Sequence, residues 1–139
     1  MDMKEILSNE FAIVSYDSES SSIITVWKKP VTSEAYRVIL SFGVEKLVEY
    51  KAEALISDIF QQGIVGTENR LWLQNDLLPK AYACGLRKVA TITPNDVFSM
   101  FYIESVKSAV IVNSLDLEFR YFQDLTSART WAMEEEVPA

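Results

Sequence analysis

The chain has 139 residues, of which 49% are hydrophobic, and this length and composition predict one domain spanning residues 1–139. Its net charge of −7 at pH 7, from 20 acidic and 13 basic residues, disfavours binding to nucleic acid and to anionic membranes, because both contacts depend on lysine and arginine. It has no histidine and a single cysteine, Cys84, which excludes Ser/His and Cys/His catalysis, most transition-metal sites and an internal disulfide.

The first part of the chain predicts a β-hairpin. Residues 11–16 and 23–27 are rich in β-branched and aromatic side chains, which is typical of strands. The polar residues 17–22 between them favour a turn. Residues 1–9, before the hairpin, are expected to be peripheral or frayed.

A long amphipathic helix is predicted after Pro30, which ends the second strand. Thr32 or Ser33 can cap this helix, and Glu34 lies near its positive end. The periodicity predicts a length of about 18 residues. The apolar residues that recur at spacings of three and four are Tyr36, Ile39, Leu40, Gly43, Leu47 and Tyr50.

A buried strand and a second helix follow. Residues 54–59 form the strand, and residues 61–66 form a glycine-containing loop without the lysine of a phosphate-binding loop. The helix is predicted to begin at Thr67 and to run to Cys84, where Gly85 stops it, with a kink at Pro79. Its core stripe comprises Leu73, Leu77, Ala81 and Cys84, so Cys84 is interpreted as a small buried hydrophobe and not as a nucleophile.

The last part of the chain continues the alternation of strands and helices. Strands are predicted over residues 86–93 and 117–122, with a third helix between them that is capped by Pro94-Asn95-Asp96. A closing helix begins near Asp124 or Thr126 and runs through Trp131, and residues 134–139 are expected to be frayed. The predicted order is β-β-α-β-α-β-α-β-α, an α/β fold with helices packed on a mixed, mostly parallel sheet.

Two local patterns resemble those of a known family. The first contains Leu71-Trp72, Leu77-Leu78-Pro79 and then residues 83–90, a kinked helix with a glycine stop and the strand after it. The second contains Tyr121-Phe122 with Ala128 and Trp131. Together with the element order over residues 10–132, they are similar to the SpoIIAA-like family, which is grouped with the STAS domains of anti-sigma-factor antagonists.

The resemblance implies a small non-enzymatic bacterial domain that regulates by binding a protein partner or itself. SEC14-like relatives imply an alternative, a carrier or sensor of a small apolar, lipid-like ligand. Neither reading requires a metal or a cofactor. No signal peptide and no apolar run of membrane-spanning length is visible, so a cytoplasmic location without integral membrane association is expected.

Two polar residues near the central strand are candidates for a functional loop. Asp58 ends that strand, where α/β proteins often place functional carboxylates, although a structural role in bonding loop N–H groups is favoured. The best-known STAS proteins have a phosphorylatable serine at the start of the next helix. Here Thr67 is the only hydroxyl between Asp58 and that helix, so Thr67 is interpreted as a helix cap and not as a switch. A carboxylate pair of Asp58 with Glu68 is a weaker possibility.

The third helix, residues 97–112, has apolar side chains on every side. One interpretation is that the helix ends early, with a strand or loop near Lys107. The other is that its surface is covered by a second subunit, preferably in a homodimer, or by an apolar molecule. The residues expected to make that contact are Phe98, Phe101, Tyr102 and Ile103.

Overall fold

The computed structural model describes residues 3–94, 97–112 and 115–134, without the side chains of residues 97–99, 102 and 109–112. Within these ranges six strands form one sheet in chain order, the first three antiparallel and the third to sixth parallel. The strands are β1 Met3–Ser8, β2 Ala12–Asp17, β3 Ser22–Trp27, β4 Ala54–Asp58, β5 Lys88–Ile92 and β6 Glu118–Phe122. The helices are α1 Ser33–Tyr50, α2 Thr67–Trp72, α3 Leu78–Ala83, α4 Val97–Val112 and α5 Leu125–Met133, and a π-helical turn, Leu73–Leu77, joins α2 to α3.

The architecture confirms the predicted alternation and adds a strand at its start. The hairpin is β2 and β3, which pair from Ala12 with Trp27 to Asp17 with Ser22. Of the two expectations for residues 1–9, Met3–Ser8 are peripheral and not frayed, because they pair with β2 at the edge of the sheet. Exposed polar side chains hide this edge strand in the sequence, because an edge strand need bury only part of its surface. Of residues 134–139, only Glu134 lies within the described residues.

The central strands alternate between two covered faces, as a two-residue period requires. On one face, Ile24, Ile56 and Ala90 pack against Ala128 and Trp131 of α5. On the opposite face, residues of the other parity pack against α1 and the α2–α3 segment; they include Ile23, Trp27 and Val89. The two faces therefore have separate cores, and we call the second one the helix-rich face.

The long helix α1 begins and ends on specific backbone interactions. The side chain of Thr32 accepts a hydrogen bond from the N–H of Ala35 at 3.1 Å, which confirms Thr32 as one of the two predicted caps. At the other end Lys51 has a left-handed conformation, and its N–H donates to the carbonyls of Leu47 and Val48 in the last turn. The helix buries Tyr36, Ile39 and Leu47 of the predicted stripe against the sheet.

The second predicted helix is divided by the π turn immediately before Pro79. The N–H of Leu78 bonds the carbonyl of Leu73, five residues earlier, and this wider turn accommodates the missing N–H of Pro79. The π turn also lets Leu78 join Leu77 in the core. At the position of the predicted kink, the structure therefore shows a change of helix type.

A buried carboxylate fastens the β2–β3 turn to α5. The side chain of Asp17 is 0% exposed; it accepts hydrogen bonds from the hydroxyl of Ser20 and, at 2.7 Å, from Nε of Arg129. Glu19 adds a second, exposed carboxylate 3.4 Å from Arg129. Burial alone would raise the pKa of Asp17, but the hydrogen bonds and charge of Arg129, with Ser20, hold that pKa below its ordinary value.

Replacing Leu77 tests the packing of the kinked segment. Leu77 is buried on the helix-rich face, so Leu77→Ala should lower the free energy of unfolding by about 2–5 kcal/mol in urea melts. The control variant Asn75→Ala, at an exposed position of the same π turn, should change it by less than about 0.5 kcal/mol. Equal effects of the two substitutions would contradict this helix orientation.

The Asp17–Arg129 pair predicts a pH dependence. A carboxylate with a lowered folded-state pKa stabilises the protein above its unfolded-state pKa and loses that effect as pH falls through the folded-state value. Asp17→Asn should therefore lower the free energy of unfolding at neutral pH by roughly 3 kcal/mol, the low end of the range for a broken buried ion pair. The difference in unfolding free energy between wild type and variant should shrink as pH falls below 3.8, the ordinary pKa of aspartate. A difference that stays constant from pH 7 to pH 2.5 in denaturant melts would show that Asp17 does not titrate with folding.

Candidate functional site

A small cavity lies between the helix-rich face of the sheet and the surrounding helices. Its volume is about 40 Å³, and its lining residues come from β3 to β6, α1, α4 and the α2–α3 segment. Most of its wall is apolar and includes Leu40, Leu55, Leu73, Val89, Val106 and Phe119. The described lining residues carry no charge.

Three hydroxyl side chains form a row across one side of this cavity. Thr25 of β3 pairs with Ser57 of β4, which pairs with Thr91 of β5. Neighbouring strands lie about 4.8 Å apart, so the three residues are adjacent on the helix-rich face. All three line the cavity, and we call them the hydroxyl row. The row provides an otherwise apolar cavity with hydrogen-bonding groups that can both donate and accept.

Trp27, the last residue of β3, is among the residues that line the same cavity. Its side chain is 1% exposed and stacks on Tyr36 of α1, with ring centroids 6.2 Å apart. Tyr36 in turn meets Trp72 edge-on at 6.1 Å, so the indole is held from α1 and α2. Among the described residues, the indole Nε1 of Trp27 is buried without a hydrogen-bond partner. An unpaired buried donor of this kind costs about 1–3 kcal/mol.

The loop after β4 is tied down beside the cavity. Asp58 accepts a hydrogen bond from the N–H of Phe60 at 3.1 Å, which is a structural interaction of the kind favoured from the sequence. The N–H of Val31 donates to the carbonyl of Gln62 at 3.0 Å. Gln62 is also one of the residues that line the cavity. Gly63 has a φ of +75°, and a Cβ there would lie 3.1 Å from Cβ of Pro30. The close contact and the positive φ together require glycine at this point.

Thr67 is the first residue of α2, and the prediction that it caps the helix is wrong. The cap position belongs to Gly66, and no side chain bonds the first turn. The hydroxyl of Thr67 instead accepts a hydrogen bond from the guanidinium of Arg70 at 3.0 Å. The boundary differs by one residue because Gly66 adopts the extended conformation of a cap without a side chain.

The two carboxylates considered as a pair have separate partners. Glu68 lies on α2 with its side chain almost fully exposed, 3.9 Å from a guanidinium nitrogen of Arg37 on α1. Asp58 bonds the loop backbone, as described above. Arg37 also donates to Asn69 at 2.7 Å, so the charged groups around the start of α2 mainly join it to α1.

The third predicted helix, α4, continues to Val112, so the interpretation that it ends near Lys107 is wrong. Ile103 is 0% exposed and packs inside the chain, whereas Phe101 is 62% exposed. The side chains of Phe98 and Tyr102 lie outside the described residues.

Two contacts join helix α4 to α2 and to the π turn that follows α2. The guanidinium of Arg70 stacks on the ring of Phe101 at 5.0 Å, and Gln74 donates to the hydroxyl of Ser105 at 2.8 Å. The contacts are separated by four residues on each segment, so α4 and α2 run side by side in the same direction. Phe101 therefore lies next to the exposed face of α2.

Cys84 is exposed, so its prediction as a buried member of the core stripe is wrong. It is the C-cap residue of α3, with φ −92° and ψ 3°, and it has already left the helical path that buries Leu77 and Ala81. In the described part of the chain, no three histidine, cysteine, aspartate or glutamate side chains are arranged to hold a metal ion. No helix there is long and apolar enough to cross a membrane.

Sequence reasoning missed the polar groups of the cavity. Thr91 and Trp27 were recognised only as strand residues, and the hydroxyl row depends on the register of three strands that are far apart in the chain. The available signal was weak: Thr25, Ser57 and Thr91 are each a hydroxyl residue at the fourth position of a mainly apolar strand. Pairing those positions requires the parallel register that only the folded sheet defines.

The capping geometry makes a prediction about two threonines. Thr67→Ala should change the free energy of unfolding by less than about 0.5 kcal/mol, because Thr67 bonds only an exposed arginine. Thr32→Ala should cost about 0.5–2 kcal/mol, because it removes the side-chain cap of α1. Denaturant melts of both variants check this, and a larger loss for Thr67→Ala would restore Thr67 as the cap.

No protein-family model matches this chain, and no curated protein does. Among solved structures, the chain is similar to an uncharacterized protein of the DUF3478 family from Shewanella loihica PV-4, described as having a SpoIIAA-like fold. The two are 15% identical, the TM-score is 0.51, and the match covers 94% of this chain and 91% of that one. This agreement of tertiary structure confirms the resemblance noted in the sequence: the chain has a SpoIIAA-like fold.

Proposed function

We propose that this chain is a non-catalytic regulatory domain of STAS type that acts by binding a protein, in the first instance a second copy of itself. The SpoIIAA-like fold supports the class of domain. The observation that carries the proposal is a set of large apolar side chains exposed on the β4–α2 loop, α2 and α4. We call this set the apolar patch; its members are Phe60, Ile64, Leu71 and Phe101.

The exposure of the apolar patch is substantial. Ile64 is 73% exposed, and Phe60 and Leu71 are about half exposed. The loop leads directly into α2, and Arg70 of α2 contacts Phe101 of α4, so these segments adjoin. Large exposed apolar patches on soluble proteins usually mark binding surfaces, and aromatic and aliphatic anchors suit a protein partner.

The cavity supports protein binding over the carriage of a lipid-like ligand. A cavity of roughly 150 Å³ is needed to hold a molecule such as benzene. The cavity of about 40 Å³ is too small for an acyl chain. Catalysis has less support, because the chain lacks histidine and Asp58 is used to bond its own loop.

Self-association through the apolar patch can be tested by native mass spectrometry and sedimentation. The wild-type protein should have the mass of two chains, each of 15.8 kDa. Phe101→Asp should dissociate the dimer, because it places a charge in an apolar contact. The monomer should stay folded, because position 101 is exposed and Arg70 beside it can pair with the new carboxylate. The dimer dissociation constant should rise by at least a hundredfold.

Val48→Asp is the matched control, since Val48 is also about half exposed but lies near the far end of α1. This variant should remain dimeric. A wild-type protein that is monomeric at millimolar concentration would contradict self-association, and equal dissociation by both substitutions would show that the contact is not at the apolar patch.

A further inference from the structure

The hydroxyl row shares its small cavity with a fourth polar residue, Gln62. Gln62 belongs to the loop between β4 and α2, whereas Thr25, Ser57 and Thr91 belong to three neighbouring strands. We propose that the cavity is a binding site for ordered water, which bridges the side-chain amide of Gln62 to the hydroxyl row. The bridge fastens the loop, which carries two members of the apolar patch, to the centre of the sheet.

The polar side chains of this cavity lack partners within the protein. In the part of the chain that the structure describes, none of the four makes a side-chain hydrogen bond. Thr25, Thr91 and Gln62 are nevertheless 4% exposed or less. Buried polar groups are almost always hydrogen-bonded, either to protein or to ordered water. Without a described protein partner, these groups require water.

These polar groups can be reached from the cavity, which the indole Nε1 of Trp27 cannot. Protein atoms enclose that nitrogen completely, whereas the hydroxyls of Thr25 and Thr91 and the amide of Gln62 are not sealed in this way. A hydroxyl both donates and accepts, and an amide supplies one acceptor oxygen and two donors. Together they match the two donors and two acceptor sites of a water molecule.

Size and charge restrict the occupant to water. A water molecule needs roughly 10–15 Å³, so the cavity of about 40 Å³ has room for at least one water and at most about three. No charged residue lines it within the described residues, so an ion would lose its hydration without compensation. Apolar cavities stay dry, but a cavity with several unpaired polar groups retains water.

Oxygen-17 magnetic relaxation dispersion tests the proposal, because it counts the long-lived water molecules inside a protein in solution. It observes the water oxygen, so the exchange of threonine hydroxyl protons does not contribute. The triple variant Thr25→Val/Ser57→Ala/Thr91→Val leaves a cavity of similar size with the amide of Gln62 as its remaining unpaired group. Since a buried water needs at least two polar partners, this variant should hold at least one long-lived water fewer than wild type.

Thr93→Val is the matched control. Thr93 follows β5 and is as deeply buried as Thr91, but its hydroxyl donates to the carbonyl of Pro94 and it is not among the residues that line the cavity. This variant should keep the water count of wild type. A cooperative melt of each variant confirms that it is folded before its waters are counted.

A high-resolution crystal structure of the wild-type protein provides a test that needs no variant. It should show a water oxygen in the cavity about 2.5–3.0 Å from at least two of the four polar side chains. An empty cavity in that structure would overturn the proposal. Equal water counts in wild type and the folded triple variant would overturn it as well, because any long-lived water would then lie elsewhere.

Discussion

The parallel register of β3, β4 and β5 is the constraint on which the rest of the structure depends. Each of these strands is covered on both faces, so a shift by one residue would exchange their two sets of side chains. The register places Ile24, Ile56 and Ala90 against α5. The alternate residues of the same strands face the other helices, and the hydroxyl row is part of that set.

The two helical layers are fastened to this sheet by different chemistry. On the α5 side, Arg129 bonds the buried Asp17, and Lys88 donates to the carbonyls of Trp131 and Glu134 at 3.0 and 2.6 Å. The amine of Lys88 thereby gives the carbonyls at the C-terminal end of α5 a charged hydrogen-bond donor. The helix-rich face relies mainly on apolar packing. Its aromatic contacts hold α1 and α2 over the end of β3.

The α2–α3 segment lies between the cavity and the apolar patch. Its inner side chains Leu73 and Leu77 line the cavity, while Leu71 belongs to the apolar patch on its outer side. Within the π turn and directly after it, Leu73, Leu77 and Leu78 are buried, whereas Leu71 before the turn is half exposed.

The sequence determined the order of most elements and the class of fold. The turn at residues 17–22, the 18-residue helix α1 with a cap at Thr32 or Ser33, and an interruption of regular helix at Pro79 all follow from local chemistry. Turn residues, caps and apolar periodicity act within a few positions of the chain, so a sequence reports them directly. The similarity of Tyr121-Phe122 and the following helix to a known family extended this information to the fold as a whole.

Only the tertiary structure decided which segments pair, which side chains are exposed and which residues line the cavity. Whether Met3–Ser8 pairs, whether Cys84 is exposed, and whether Gly66 or Thr67 caps α2 depend on how neighbouring segments meet. The cavity depends on longer-range contacts still, since Thr25 and Thr91 become neighbours of Ser57 only through two parallel pairings. Such pairings are fixed by the burial of both sheet faces at once. That burial is a property of the packed protein, and no local stretch of sequence contains it.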